Sequence, residues 1–322
     1  TIAPSCRRAY RDAMSDIASV SIARPLEDVA KEIGHSFEEY GFAVIRDHGI
    51  PQELIDRAEE LSKAFFALPD DVKKAYHVPG GGGARGYTPF GTEKAKDAKV
   101  HDLKEFWHVG RELPAGHPLS EYMPDNVWPE EVEGFRNTFS ELYSAFELAG
   151  SRVLEAIAIH LDLPRDFFVP TVEDGNSVMR LLRYPPLEGA EAEGAIRAAA
   201  HGDINTITLL LGAEEAGLEL LASDGEWLAV DPPAGALVVN IGDMLDRLTN
   251  HKLRSTTHRV VNPRGEAAYR ARYSMPFFLH FRPDYVIETL PSCIDAENPA
   301  NHPEPISSHD YLMQRLREIN LA

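Results

Sequence analysis

The chain is poor in cysteine, in positive charge and in long apolar runs. It holds Cys6 and Cys293 alone, with no C-x-x-C spacing. That excludes a disulfide-stapled scaffold and a thiolate-rich zinc or iron–sulfur site, and points to a reducing cytoplasm. Lys and Arg number 32 against 51 Asp and Glu, a formal net charge of −19. Such a surface repels nucleic acid and anionic membranes, so neither is expected as a partner. It says little about a small substrate, because a pocket can be basic inside an acidic shell. No apolar run approaches the length that crosses a bilayer. Residues 1–13 carry Arg7, Arg8 and Arg11 but no apolar stretch of a secretory signal. Residues 1–14 read as an extension ahead of the patterned sequence.

Apolar residues make up 43% of the chain, enough for a substantial core. No linker or repeat divides residues 15–322, so a single domain is expected. Residues 15–165 read as mainly helical. Leu26, Val29, Ala30, Ile33 and Phe37 recur at helical spacing, Phe42–Ile45 forms a short strand, and Pro51 opens a second helix through Leu54, Ile55, Ala58, Leu61 and Phe65. A long amphipathic pattern runs from Pro129 to Leu161. Gly80–Gly83 is a loop; without the Lys-Ser/Thr of a P-loop it is not a phosphate cradle. Between residues 175 and 285 short β-type segments alternate with Gly, Pro, Asn and Asp: Ser177–Tyr184, Thr206–Leu211, Leu218–Leu221, Trp227–Val230, Ala236–Ile241, His258–Val261 and Arg272–Phe281. That spacing suggests an antiparallel sandwich or jelly roll. Residues 286–322 are a tail that ends in a helix from Ser308. The expected class is mainly β with helical additions.

His201-Gly202-Asp203 is placed where a strand should begin, and residues two apart on a strand face the same side. His258, on a later strand, can return to the same mouth. Two imidazoles and one carboxylate on one face of an octahedral ion leave three positions open, as oxygen activation at iron(II) requires. Zinc uses similar ligand sets. With 13 histidines in the chain, a chance His-x-Asp is also open, and His251 and His280 read as surface or packed histidines with hydrogen-bond partners.

Arg272 and Ser274 share one strand parity. An inward arginine in an apolar barrel is costly unless an anion pairs with it, and a carboxylate suits its fork. The alternative is an arginine paired with one of the many acidic residues. Tyr184, ahead of Pro185-Pro186, is a third candidate for the same chelate. Arg180 shares the parity of Tyr184 and is a candidate contact for an anionic group on the main substrate, or else a solvent-facing residue at a strand edge. Arg85 and Tyr87, beside the glycine run, are further substrate candidates, and residues Leu187–Arg197 form an insertion ahead of His201.

With these residues placed, the chain resembles the isopenicillin N synthase-like family of iron(II)/2-oxoglutarate dioxygenases from about Ser15 to Phe281. The resemblance is carried early by Glu39-Tyr40-Gly41-Phe42-Ala43-Val44-Ile45, His48-Gly49-Ile50, Phe65-Phe66-Ala67-Leu68-Pro69, Arg85-Gly86-Tyr87 and Asp102-Leu103-Lys104-Glu105. Later it rests on His201-Gly202-Asp203, Asn240-Ile241-Gly242-Asp243, His258-Arg259-Val260 and Arg272-x-Ser274, in the family's order. It implies a double-stranded β-helix (jelly-roll) core, iron(II) on His201, Asp203 and His258, and 2-oxoglutarate with its far carboxylate on Arg272 and Ser274. It also implies oxidation of a small molecule by O₂ (hydroxylation, desaturation or cyclisation) with release of succinate and CO₂. Where many plant members read Asn-Tyr-Tyr-Pro, this chain has Leu182-Arg183-Tyr184-Pro185, closer to the isopenicillin N synthase branch. An oxidase that holds its substrate on Arg272 and Ser274 without 2-oxoglutarate is therefore a second reading, and a non-catalytic jelly-roll binding protein a third.

Overall fold

A computed structural model describes residues 17–79, 84–92, 104–186, 197–211, 217–262 and 265–318. The expected extension at 1–14, the glycines 80–83 and residues 187–196 of the insertion lie outside the described residues. The described chain runs β1 (Ser19–Ser21), α1 (Leu26–Glu39), β2 (Phe42–Arg46), α2 (Gln52–Phe66), α3 (Asp70–Ala75), β3 (Gly86–Thr88), β4 (Glu105–Gly110) and α4 (Phe135–His160). It continues through β5 (Val178–Tyr184), β6 (Ala198–His201), β7 (Ile207–Leu211), β8 (Leu218–Leu221), β9 (Trp227–Ala229) and β10 (Leu237–Ile241). Last come α5 (Asp243–Leu248), β11 (His258–Val260), β12 (Arg272–Ser274), β13 (Pro276–Leu279), β14 (Val286–Ile287), β15 (Ile306–Ser307) and α6 (Ser308–Glu318).

Nine strands form a major sheet in the order β1-β2-β10-β7-β13-β5-β4-β3, with β12 also paired to β5; a minor sheet has the order β6-β11-β8-β9. Their pairings are antiparallel except β1 with β2. This is the jelly-roll arrangement.

Strand alternation gives the major sheet two faces. One carries Ala43, Ile45, Val239, Ile241, Leu209, Phe277, Leu279, Met179, Leu181, Trp107 and Tyr87, all buried in the large core with α1, α2 and α4. The long helix comes close enough at Gly150 that a Cβ there would lie 2.4 Å from Leu279 Cδ1. The other face turns Phe42, Val44 and Val238 toward Ala198, Leu218, Leu220 and Val260 of the minor sheet, a smaller core between the sheets.

Several boundaries differ from the sequence expectation. The long helix starts at Phe135 rather than Pro129, because Gly134 takes a left-handed φ of +80° just before it. The segment expected as one strand, Arg272–Phe281, breaks after Ser274, next to Pro276, which has no N–H to give a ladder. The mainly helical first part also contributes β3 and β4, and all six residues of β4 are buried.

Candidate active site

His201 is the last residue of β6 rather than the first of a strand, and Asp203 lies in the link to β7. Strand parity therefore does not bring the two together. Cross-strand pairing and a hydrogen-bonded turn do so instead. In the minor sheet His201 is the direct partner of His258 on β11, and the ring centroids are 4.5 Å apart. Asp203 is held from the major sheet: Thr208 Oγ1 on β7 donates to its Oδ2 at 2.6 Å and Asn240 Nδ2 on β10 at 2.8 Å. The Asp203 carbonyl accepts from Asp243 N at the start of α5, 2.8 Å away.

His201 Nδ1 lies 2.7 Å from the Ala199 carbonyl oxygen and His258 Nδ1 3.1 Å from that of Thr256. A carbonyl only accepts, so both rings carry their proton on Nδ1 and present the Nε2 lone pair. The two Nε2 atoms lie 3.9 and 3.8 Å from the Asp203 carboxylate, and one ligand atom from each residue falls within 4.8 Å of the others. Among the described residues no other such group of three metal-ligand side chains occurs. Desolvation, helped by the neighbouring His258, lowers the His201 pKa to about 4, which keeps the ring neutral at pH 7. The ring stands in dense surroundings although 44% of its side chain is open at the mouth of the site. Burial alone would raise the Asp203 carboxyl. The two imidazoles and the bonds from Asn240 and Thr208 outweigh it and hold the carboxyl below its ordinary range. Two neutral imidazoles and an ionised carboxylate fit a divalent cation of the first transition row.

Arg272 and Ser274 are both buried and share one face of β12. Arg272 is the cross-strand partner of Tyr184, and its guanidinium lies 5.3 Å from that ring's centroid. The three thus form one group on the face turned toward the minor sheet. Arg197, just before β6, is fully buried with its guanidinium 5.9 Å from the same ring and donates to the Arg270 carbonyl. Sequence reasoning treated Arg197 only as the end of an insertion.

Arg180 occupies the same face two rows from Tyr184. It is on a strand flanked by β4 on one side and β13 on the other, so the strand-edge reading does not hold. Its Nε donates to His108 Nε2 at 2.5 Å, and its guanidinium lies 4.3 Å from the Phe106 centroid and 5.4 Å from that of Phe278. Val178, Arg180 and Phe278 are central in the major sheet yet only half-buried, so that face stays accessible there.

The remaining two candidates do not join this group. Tyr87 has the opposite parity, and its hydroxyl donates to Glu105, which also binds Lys73 and Arg183. Arg85 is buried with its guanidinium packed over Gly110, donating to the carbonyls of Pro124 and Ala84. Both are occupied in holding β3 and β4.

Comparison with known proteins matches this geometry to a family. The 2OG-Fe(II) oxygenase superfamily matches residues 175–281, and the N-terminal region described as non-haem dioxygenase in morphine synthesis matches residues 14–131. The chain belongs to the isopenicillin N synthase-like iron(II)/2-oxoglutarate oxygenases. It is 38% identical over 293 residues to the 2-oxoglutarate-Fe(II) type oxidoreductase hxnY of Emericella nidulans, spanning 88% of this chain and 82% of the relative. A solved 2OG-Fe(II) oxygenase family protein from Caulobacter crescentus superposes with a TM-score of 0.88 at 57% identity, over 94% of this chain and 98% of that one. A Neurospora crassa protein solved in complex with alpha-KG (2-oxoglutarate) gives a TM-score of 0.83 at 30% identity, over 94% and 95% of the two chains. The enzyme is thus an oxidoreductase whose family uses iron(II), 2-oxoglutarate and O₂. No helix among the described residues is long and apolar enough to cross a membrane.

Proposed function

We propose that His201, Asp203 and His258 hold the iron, that Arg272, Ser274 and Tyr184 seat the far carboxylate of 2-oxoglutarate, and that Arg180 faces the molecule to be oxidised. The observation that carries this reading is the convergence of two Nε2 lone pairs and one hydrogen-bonded carboxylate, contributed by both sheets. Bound iron(II) supplies an open coordination face on which a 2-oxo acid and O₂ meet. The protein's own part is to position and to shield. The Ala199 and Thr256 carbonyls fix the tautomers of the two imidazoles. Asn205 Nδ2 donates to Thr208 Oγ1, which turns the Thr208 proton onto Asp203. Arg272 offers a buried positive charge of the kind a dicarboxylate neutralises, next to the Ser274 hydroxyl, and Phe106, Leu182 and Tyr184 close that end of the cavity with apolar surface.

The proposed substrate is a small molecule with an anionic group. The support is Arg180: a guanidinium held at Nε by His108, flanked by two phenyl rings, on the half-buried stretch of the cavity wall. The Neurospora relative has been solved with thymine, also a small molecule. A single domain over residues 15–322 and a cytoplasmic location complete the proposal.

Anaerobic addition of 2-oxoglutarate to the iron(II) protein tests it. Chelation is expected to produce a weak visible charge-transfer band. Arg272→Leu should weaken the 2-oxoglutarate titration by at least about 30-fold, the loss of roughly 2 kcal/mol expected on removing one partner of a buried charge pair. An unchanged titration would move the carboxylate elsewhere. Arg180→Ala should leave iron and 2-oxoglutarate binding intact while raising KM for the main substrate, and unchanged kinetics on that substrate would remove Arg180 from the site.

A further inference from the structure

Strand β5 carries two arginines, and they meet opposite kinds of partner. Arg183 Nη1 donates to the Glu105 carboxylate, which opposes its charge. Arg180 Nε donates to His108 Nε2 at 2.5 Å. A guanidinium stays protonated and only donates, so His108 Nε2 is the acceptor and the ring proton sits on Nδ1. The imidazole in this bond is therefore neutral. It directs the guanidinium and adds no opposing charge of its own.

The sheet, rather than the bond, sets the place of His108. It stands directly opposite Arg180 in a ladder that runs unbroken from Glu105 with Arg183 to Gly110 with Val178. A ladder of that length joins β4 to β5 without help from a side-chain bond. His108 is 7% exposed, whereas Arg180 is only half-buried. The covered group thus holds the accessible one.

Two phenyl rings complete the mount. Phe106 on β4 pairs with Leu182, and Phe278 on β13 pairs with Val178. By alternation both share the face of Arg180, one on each neighbouring strand. Their centroids lie 4.3 and 5.4 Å from the guanidinium carbon. Rings at that range attract the cation and limit its swing. Phe106 also packs on the His108 ring, with centroids 4.8 Å apart.

A guanidinium can grip a carboxylate through either of two forks, Nε with one Nη, or both Nη groups together. The bond to His108 takes the Nε proton and closes the first fork. We propose that His108 is a positioning residue that commits Arg180 to end-on recognition, through its two Nη groups, of a carboxylate on the substrate. This rests on the assignment of Arg180 to the substrate given above. It adds the direction of approach, along the long axis of the arginine side chain. It also adds an energetic role, because an arginine already oriented loses less freedom when the anion binds.

The test uses the iron(II)·2-oxoglutarate protein with benzoate as the carboxylate probe and benzamide as its neutral counterpart. Dissociation constants are measured for the native protein, Arg180→Ala, His108→Phe, His108→Gln and the double variant Arg180→Ala/His108→Phe. Binding of iron and 2-oxoglutarate is recorded in the same samples. Benzoate should bind at least about tenfold more weakly to His108→Phe, the loss expected with one hydrogen bond to a charged group. His108→Gln, whose Oε1 can accept from Nε, should restore most of it, and benzamide should stay within about twofold throughout. The double variant should bind benzoate no more weakly than Arg180→Ala alone, because His108 acts through Arg180. The proposal is overturned if His108→Phe binds benzoate as the native protein does, if Gln is no better than Phe, or if the double variant loses a further tenfold. A second measurement needs no variant. Imidazole ¹⁵N shifts of the protein with zinc(II) in place of paramagnetic iron should show His108 protonated on Nδ1 alone, and a proton on Nε2 would also overturn it. If the native protein does not bind benzoate, or Arg180→Ala binds it unchanged, the assignment of Arg180 itself falls, and this proposal with it.

Discussion

The two faces of the nine-stranded sheet treat their buried carboxylates in opposite ways. On the helix-covered face, the buried carboxylate of Glu105 is closed off by Lys73 at 2.9 Å, by Arg183 and by the Tyr87 hydroxyl. Desolvation, reinforced by the bond to Glu105, raises the Tyr87 pKa far above the usual phenol range, so it remains a donor. On the face toward the minor sheet, the Asp203 carboxylate accepts from Thr208 and Asn240, and Arg180 and Phe278 remain half-exposed. Burial and charge alone do not distinguish the faces. What differs is the balance around the carboxylate: Glu105 is closed off by two cations, while Asp203 accepts from two neutral donors and stands beside two imidazoles. A closed network stabilises, while an incomplete one recognises.

Substitutions on the two sides should accordingly separate activity from stability. The largest effect belongs to the open face: Asp203→Ala or His258→Ala should abolish iron-dependent succinate release while leaving the thermal midpoint of metal-free protein within a few degrees of the native value. Retained turnover at native iron stoichiometry would end the assignment of these ligands. On the closed face, Glu105→Leu strands two cations, and urea unfolding should show a loss of about 3 kcal/mol, the low end for a broken buried pair. Lys73 keeps exposed Asp70 at 3.1 Å, which moderates the cost. Iron affinity should hardly change, and a large fall would show that the faces are coupled. Asn240→Ala, which removes one of the two donors to Asp203, should weaken iron binding by about 10–100-fold, measured by competition with a chelator.

The last effect is a pH dependence. His280 has a folded-state pKa of about 4 against an ordinary 6.5, so the unfolded chain binds its proton first. That contribution to stability is complete above pH 6.5, declines as pH falls toward 4, and is constant below. Metal-free His280→Phe should therefore lose less stability than the native protein between pH 6.5 and 4. Parallel urea midpoints across that range would show that the ring is not buried in its neutral form.

The sequence was most legible where a pattern is local. Helical spacing marked α1 and α2 to within a residue or two, and punctuation by Gly, Pro and Asp separated β7 through β11. Strand β4 was missed because both its faces are covered, so Glu105–Gly110 shows no alternation to read. Strand β6 was read too late because Ala198-Ala199-Ala200 has little β-propensity. His201 was therefore taken for the start of a strand. The supports of the site were less visible than its ligands: Thr208 and Asn240 reach Asp203 only because β10 pairs with β7, a contact 37 residues apart in sequence for Asn240. Tyr87 was grouped with the substrate residues by its place beside the glycine run, and one unrecognised strand put it on the wrong side.

The proposed ligands come from two sheets. His201 and His258 are neighbours in the minor sheet, and Asp203 is tethered to β7 and β10 of the major one. A metal ion bound by all three acts as a rivet through the sandwich. Its departure is then a mechanical event as much as a chemical one, since the two layers lose a bond there and keep the packing of Phe42 on the His258 ring. The slow protection of amides in β6 and β11 against exchange should rise and fall with iron occupancy, and the catalytic ion would serve as the last fastening of the fold it works in.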